Sequence, residues 1–414
     1  MKYALGNMLN GAGGLSSDGL AIDLQFAADK TLTARKGPTP VFTRASTATF
    51  VGSNGLIQSS AINAARFDHD PVTLTCRGLL IEEARTNLHL RSDDLSVSPW
   101  TRTGSNITVN SGVSPDGLTT ADLIYEDTAI SSHSISAFIG GTTVGATYTH
   151  SIYLKAAGRN IVALGDWGGL LSEFNLSTGQ VIAGGNGLPQ IQNVGNGWYR
   201  CSVTGASTAI GVTPGFRLRS VSGINSYLGD GVSGVLAWGA QFEAGAFPTS
   251  YITTTTASVV RSADVCSITG SAFTGFYNQA EGTVLIGHPF RNNSLARSFY
   301  IGDGTNSTNT LELFSGSPGI GSNAFSGGAQ QYGQFVFAAN NSMAKASLAV
   351  APSNAMLAVN GTLAASGGGL MPVGPNQLII GNRPDGGRNI NGHIPFFRYY
   401  RKRLANAKLQ AITT

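Results

Sequence analysis

Residues 172–184, SEFNLSTGQVIAG, set two short apolar-containing runs on either side of Ser177-Thr178-Gly179. Each run has strand length, and the small polar centre ending in glycine accepts the left-handed backbone of a tight turn, so the stretch reads as a β-hairpin. The same pattern extends outward through ATYTHSIYLKAAG (146–158), GNGWYRCSVTG (195–205), FRLRSV (216–221) and GVLAWGAQFEAG (234–245). Strand-length pieces at regular spacing with glycine-rich connections predict a two-sheet antiparallel sandwich of jelly-roll type over residues 91–265.

Composition agrees. Charged residues are 12% of the 414 and glycines number 55, against about 25% charged in ordinary globular chains. Exposed helix needs Lys, Glu and Arg, so a chain this short of them is mainly β. The length suits two or three domains, each able to bury a core.

On the N-terminal side, residues 1–90 read as a β-rich module. FTRASTATFVGSNGLIQSS (42–60) alternates around Ser53-Asn54-Gly55, a hairpin signal, and RFDHDPVT (66–73) carries an Asp-Pro break. GLLIEEARTNLHLRSDDLS (78–96) is the most charged and most helix-compatible run of the chain. On the C-terminal side, TTTTASVVRSADVCSI (253–268) reads as a crossing, after which EGTVLIGHPF, NTLELFSG, GQFVFAANN, NQLIIGNRP and GHIPFFRYYRKRL predict a second antiparallel sandwich over 266–414, with a tight turn at Asn360-Gly361. One short helix, RLANAKLQAI (403–412), closes the chain.

Several classes are set aside. Cys76, Cys201 and Cys266 are odd in number and far apart, which suits small core residues rather than a disulfide or metal framework. MKYALGNMLNGAGGL lacks the continuous apolar core of a signal peptide, and no apolar run reaches the ~20 residues of a membrane helix. The expectation is a chain made in the cytoplasm, with no membrane insertion. The histidines at 69, 89, 133, 150, 288 and 393 show no HxH or HExxH spacing. Glu281, Asp303, Glu312 and Asp385 stand singly, without the paired carboxylates that glycoside hydrolysis uses, so no enzyme is expected. Net charge is +4, but residues 383–408 hold seven basic residues and one acid, a local 7 − 1 = +6. No stacking aromatics interleave with these charges on a reader motif, so they read as a solvated face and no nucleic-acid partner is expected.

Three tryptophans bear on ligand binding. Trp198 and Trp238, with Tyr199, sit in apolar strand runs and read as core. Trp167, in GDWGGLL (165–171), is placed as at a loop tip, equally an exposed platform or a lid folded back. The loop GNRPDGGRNINGH (381–393) gathers Asn382, Arg383, Asp385, Arg388 and Asn391, planar donors and acceptors of the kind that reach sugar hydroxyls, or else a solvated turn.

FTRASTATFV, RFDHDPVT and GLLIEEARTNL in that order, then Trp100, GNGWYRCSVTG and AWGAQFEAGAFPTSYI, resemble the modular tail-fibre and head-spike proteins of tailed bacteriophages, prophages and gene transfer agents. GHIPFFRYYRKRLANAKLQAI (392–412) is similar to the closing strand and helix of the concanavalin A-like, laminin-G-like lectin domains of those proteins. The resemblance implies a virion structural subunit, of head or tail, at the virion surface. Its N-terminal module (1–90) would attach to other virion proteins, followed by a jelly-roll carbohydrate-binding-like sandwich (91–265) and a lectin-like sandwich (266–414). Its partner would be a host capsule or lipopolysaccharide glycan, bound at Trp167 or at the rim loop, and its assembly a homo-oligomer, a trimer first. The alternatives are a capsid decoration protein without a sugar ligand and a polysaccharide depolymerase. Glu82, Glu83 and Arg85 fall between the N-terminal module and the first sandwich, where they would lock the junction or a neighbouring subunit, or else merely solvate a segment. Modules of this kind often hold a structural calcium, but no loop gathers three acids, so no cofactor or metal is assigned.

Overall fold

The computed structural model describes residues 19–414 apart from 166, 168, 291–294, 317–318, 338–341, 365–366 and 369–370. It is mostly β, with antiparallel sheets and three short helices, Phe26–Asp29, Gly270–Phe276 and Asn406–Thr413. The last is the expected terminal helix. The segment 1–18, which includes MKYALGNMLNGAGGL, lies outside the described residues.

The hairpin expected over 172–184 is present. Ser172–Asn175 pairs with Gln180–Ala183, and Gly179 turns at φ +67°. Asn175 closes the turn by accepting from the backbone N–H of Ser177 at 2.9 Å and of Thr178 at 3.2 Å. A Cβ on Gly179 would stand 2.6 Å from the Tyr199 ring, so position 179 needs glycine for space as well as for backbone.

Two compact units divide the chain, one of residues 43–77 and 82–264, the other of residues 1–42, 78–81 and 265–414. The described part of 1–90 is thus shared between them rather than standing as a third body. In the first unit two six-stranded antiparallel sheets face each other. One is centred on Thr147–Ala157, flanked by Trp198–Ala206 and Gly234–Ala244; the other on Ile161–Gly165 and Gly215–Arg219. Ile152, Leu154, Val203 and Phe242 from one sheet meet Val162, Leu164, Phe174, Phe216 and Leu218 from the other in one core. The helix-compatible run 78–96 contains no helix: Arg85–Asn87 is a strand paired with Val259–Arg261. Inward-facing Arg85 and Asn87 alternate with half-buried Thr86, a period of two that burial imposes over propensity.

The second unit is also a two-sheet sandwich. Its six-stranded sheet runs Leu20–Leu24, Phe397–Tyr400, Gly282–Phe290, Ser342–Ala351, Asn354–Val359, Thr362–Leu363. Its seven-stranded sheet runs Val41–Thr43, Val265–Thr269, Gln377–Ile380, Arg297–Gly302, Thr310–Ser315, Gly319–Ser326, Ala329–Phe337. Phe299 of one sheet meets Phe397 of the other edge to face at 6.2 Å. Asn360 and Gly361, at φ +47° and +77°, make the expected tight turn.

Candidate functional site

The loop 381–391 leaves the strand Gln377–Ile380 and is tied at three levels. Across its base Ile390 N–H donates to Gly381 O at 2.8 Å, and across its tip Arg383 N–H donates to Gly387 O at 3.1 Å. The neighbouring strand holds it from below. Arg383 donates through Nε and Nη2 to the two oxygens of Glu312, at 2.6 and 2.8 Å. Arg297 reaches the same carboxylate through Nε at 2.9 Å, and its backbone N–H donates to Arg388 O at 2.7 Å. Glu312 is fully buried, so a bidentate and a single charge-assisted bond replace its lost hydration.

This arrangement sorts the five loop residues. Asn382 is buried and donates to Asn389 Oδ1 at 3.3 Å, which removes it from any contact surface. Arg383 is half-buried and serves as the clamp. Asn391 is half-buried at φ +47° and donates to Asn389 O at 3.4 Å. Asp385 and Arg388 are exposed. Asp385 accepts from Gly387 N–H at 2.8 Å and from Asn306 Nδ2 at 2.7 Å, which sets its carboxylate in place. The loop therefore presents one carboxylate and one guanidinium on a braced backbone, a pair able to accept from and donate to a polyhydroxylated ligand. Sequence reasoning missed Arg297 and treated Glu312 as an isolated acid; the strand register that joins them to Arg383 is non-local.

Trp167 is not a platform. It is 3% exposed and packs in the first sandwich's core, edge-on to Phe242 at 5.3 Å and to His150 at 5.9 Å. The reading as a folded-back lid is the one that holds, because burying the ring removes a large apolar surface from water. Trp198 and Trp238 are likewise core, 2% exposed each.

Glu82 and Arg85 are buried in the first unit, and Glu83 is half-buried beside them. Glu82 takes the backbone N–H and Oγ of Ser250 at 2.8 and 2.7 Å, and pairs with Arg66 and Arg261 at 2.7 Å each. Arg66 also binds Asp264 at 2.5 Å, and Asp264 binds Arg44 at 3.1 Å. Five charges, Arg44–Asp264–Arg66–Glu82–Arg261, thus alternate in sign along one buried chain. Burial alone would raise the Glu82 carboxyl, but Arg261 and Arg66 overturn it and hold the group far below the usual carboxylate range. Arg85 pairs with half-buried Glu83 at 2.5 Å and lies 4.8 Å from the Phe247 ring centroid. Neither a solvated face nor an inter-subunit lock describes Glu82. The partners Arg44, Arg66 and Asp264 lay in view in FTRASTATFV, RFDHDPVT and RSADVCSI, motifs that hold charges in a chain that has few.

Among the described residues no group of three or more His, Cys, Asp or Glu is arranged to hold a metal ion, and no helix is long and apolar enough to cross a membrane.

No family model matches the chain, and no curated protein matches it. Solved structures similar to it include the CBM40 module of a Ruminococcus gnavus IT-sialidase bound to α2,3-sialyllactose, 18% identical, covering 34% of this chain and 86% of that one at a TM-score of 0.30. They also include the Trypanosoma rangeli sialidase in complex with sialic acid, 9% identical, covering 71% of this chain and 60% of that one at a TM-score of 0.28. A mutant of that sialidase displaying trans-sialidase activity covers 70% of this chain at 11% identity and a TM-score of 0.25. One expectation is corrected by these likenesses. The sequence reading placed the chain outside the enzymes, yet chains that align with most of it are enzymes, so that exclusion does not stand. At such identities and TM-scores none of them lends this chain an activity, a ligand or a site.

Proposed function

We propose that the chain is a virion-surface fibre or spike subunit of bacteriophage type that recognises a host polysaccharide, capsule or lipopolysaccharide, through the loop 381–391 of its C-terminal sandwich. The observation that carries the recognition is the braced loop: Asp385 and Arg388 are exposed on a backbone clamped through Arg383, Glu312 and Arg297. Preorganised polar groups lose little entropy on binding, and that suits weak sugar sites repeated in an assembly. The virion setting is supported by the sequence resemblance over roughly residues 35–412, and it brings a homo-oligomer, a trimer first, held to other virion proteins by N-terminal residues.

Adsorption of the purified chain to capsulated and capsule-free cells tests the reading, with the wild type beside Asp385→Ala/Arg388→Ala. Both side chains are exposed, so the double variant keeps its melting temperature. Its adsorption should fall about tenfold, the scale of one charge-assisted hydrogen bond. An anionic polymer would add a decline with salt. Sizing the polymer after incubation reports cleavage, the outcome expected of a depolymerase. Equal adsorption of both proteins to both cell types overturns recognition by this loop.

A further inference from the structure

The clamp beneath the loop continues into a strip of the seven-stranded sheet. The Arg297 guanidinium lies 4.4 Å from the Phe314 ring centroid, and Phe314 meets Phe335 edge to face at 5.4 Å and 89°. Phe335 stands on the edge strand Ala329–Phe337 with Phe337 two residues on, which puts both on one side of the strand. They are 46% and 79% exposed. The residues paired with them are glycines, Gly321 opposite Phe335 and Gly319 opposite Phe337, while Gly333 pairs with Asn323. A Cβ on Gly321 would stand 2.7 Å from both the Phe314 and Phe335 rings, and one on Gly316 would stand 2.9 Å from Phe335. The glycines therefore make the space that these rings occupy across the strands. On the same side the next position is Gly333, over which lie the amides of Gln330 and Asn323, Gln330 Nε2 donating to Asn323 Oδ1 at 3.1 Å.

We infer that this strip is a second sugar subsite, in which Phe335 and Phe337 stack against the C–H face of a pyranose ring and the neighbouring amides meet its hydroxyls. The inference rests on the polysaccharide reading of the loop and extends it from a single contact to an oligosaccharide. Three features favour a glycan over a protein partner. Beside the two rings the same face carries the planar amides of Gln330 and Asn323 rather than aliphatic side chains. No charged group lies among the exposed residues of the strand. The strip is joined to the loop through an unbroken series of contacts, Arg383–Glu312–Arg297–Phe314–Phe335. The subsite would be insensitive to salt, because stacking carries no net charge, whereas the loop's contacts would be screened.

The probe is the capsular polysaccharide retained by the wild type in the adsorption assay, together with oligosaccharides of graded length cut from it. Wild type, Phe337→Ala, Phe335→Ala/Phe337→Ala and Asp385→Ala/Arg388→Ala are titrated by calorimetry at low and high salt, and each is sized by light scattering. The aromatic variants are expected to bind long oligosaccharides about tenfold more weakly, with the shortest fragments unaffected. Phe337 is largely exposed, so its single variant decides the matter even where the double variant fails to fold. Undiminished binding of long fragments by Phe337→Ala overturns the subsite while leaving the loop reading intact. Absence of binding by the wild type removes both. A change of oligomeric state in the aromatic variants, with binding per chain unaltered, would assign the strip to contact with a second copy and overturn the subsite.

Discussion

His89 and His150 lie 5.0 Å apart between ring centroids inside the first sandwich, His89 stacked on Trp100 at 4.8 Å and His150 edge-on to Trp167. None of their four ring nitrogens has a hydrogen-bond partner, and neither has Trp167 Nε1. In so apolar a setting the charged imidazolium is strongly disfavoured. Burial holds His89 well below its ordinary value, with the His150 charge adding to this, and holds His150 down to about 3. Above the unfolded value near 6.5 neither state binds the proton and stability is flat. Below it the unfolded chain takes up protons that the folded chain refuses, so stability falls by about 1.4 kcal/mol per pH unit for each histidine, as far as their folded values. Urea midpoints of the first unit should therefore drop between pH 6.5 and 5, before carboxylates titrate. In His89→Phe/His150→Phe, which keeps aromatic packing without a titrating group, the slope over that window should largely vanish; an unchanged slope would place the acid sensitivity elsewhere. The histidine pair was invisible in the sequence because His89 and His150 sit 61 positions apart, 150 − 89, and Trp167 reads as a loop residue from its glycine neighbours alone.

Elements whose information is local were legible. The hairpins 172–183 and 48–60 follow from Ser-Thr-Gly and Ser-Asn-Gly, and Gly55 indeed turns at φ +78° with Asn54 Oδ1 accepting from Leu56 N–H at 3.1 Å. The segment 253–268 shows where local reading stops. Its threonines suggest an exposed crossing, and residues 255–260 are exposed, yet Val259–Arg261 is a strand against Arg85–Asn87, and Arg261 and Asp264 are buried in the ionic chain. Those pairings span up to 220 residues, Arg44 to Asp264, and no periodicity announces them. A buried ion pair adds little over a well-packed apolar pair, but removing one partner strands the other. Glu82→Ala would leave Arg66 and Arg261 without the carboxylate between them. It should cost the first unit about 3–5 kcal/mol, read as a lowered urea midpoint with unchanged m. A loss under about 1 kcal/mol would show the network to be dispensable.

At the scale of the whole chain, the strand Leu20–Leu24 pairs with Phe397–Tyr400 and closes the sheet of the C-terminal sandwich from the other end of the sequence. Gly392–Ile394 likewise pairs with Leu79–Ile81. A reading zone by zone cannot find such partners, since each strand looks complete within its own neighbourhood. The last 150 residues (265–414) are consequently an incomplete sandwich. Without the N-terminal strand and turn they lack Ile22, Leu24 and Phe26, each fully buried. Losing a buried side chain of this size costs about 2–5 kcal/mol, so three together exceed much of the 5–15 kcal/mol that a domain has. Expressed alone, 265–414 should fail to unfold cooperatively, whereas a version beginning with residues 19–42 joined by a flexible linker should recover a transition. Protease cutting within the exposed residues 255–258 should then give two bands on a denaturing gel but one peak on native size exclusion, because strand pairs on both sides of the cut still hold the pieces together. A C-terminal fragment that elutes by itself and melts cooperatively would show that the sandwich does not need its N-terminal strand.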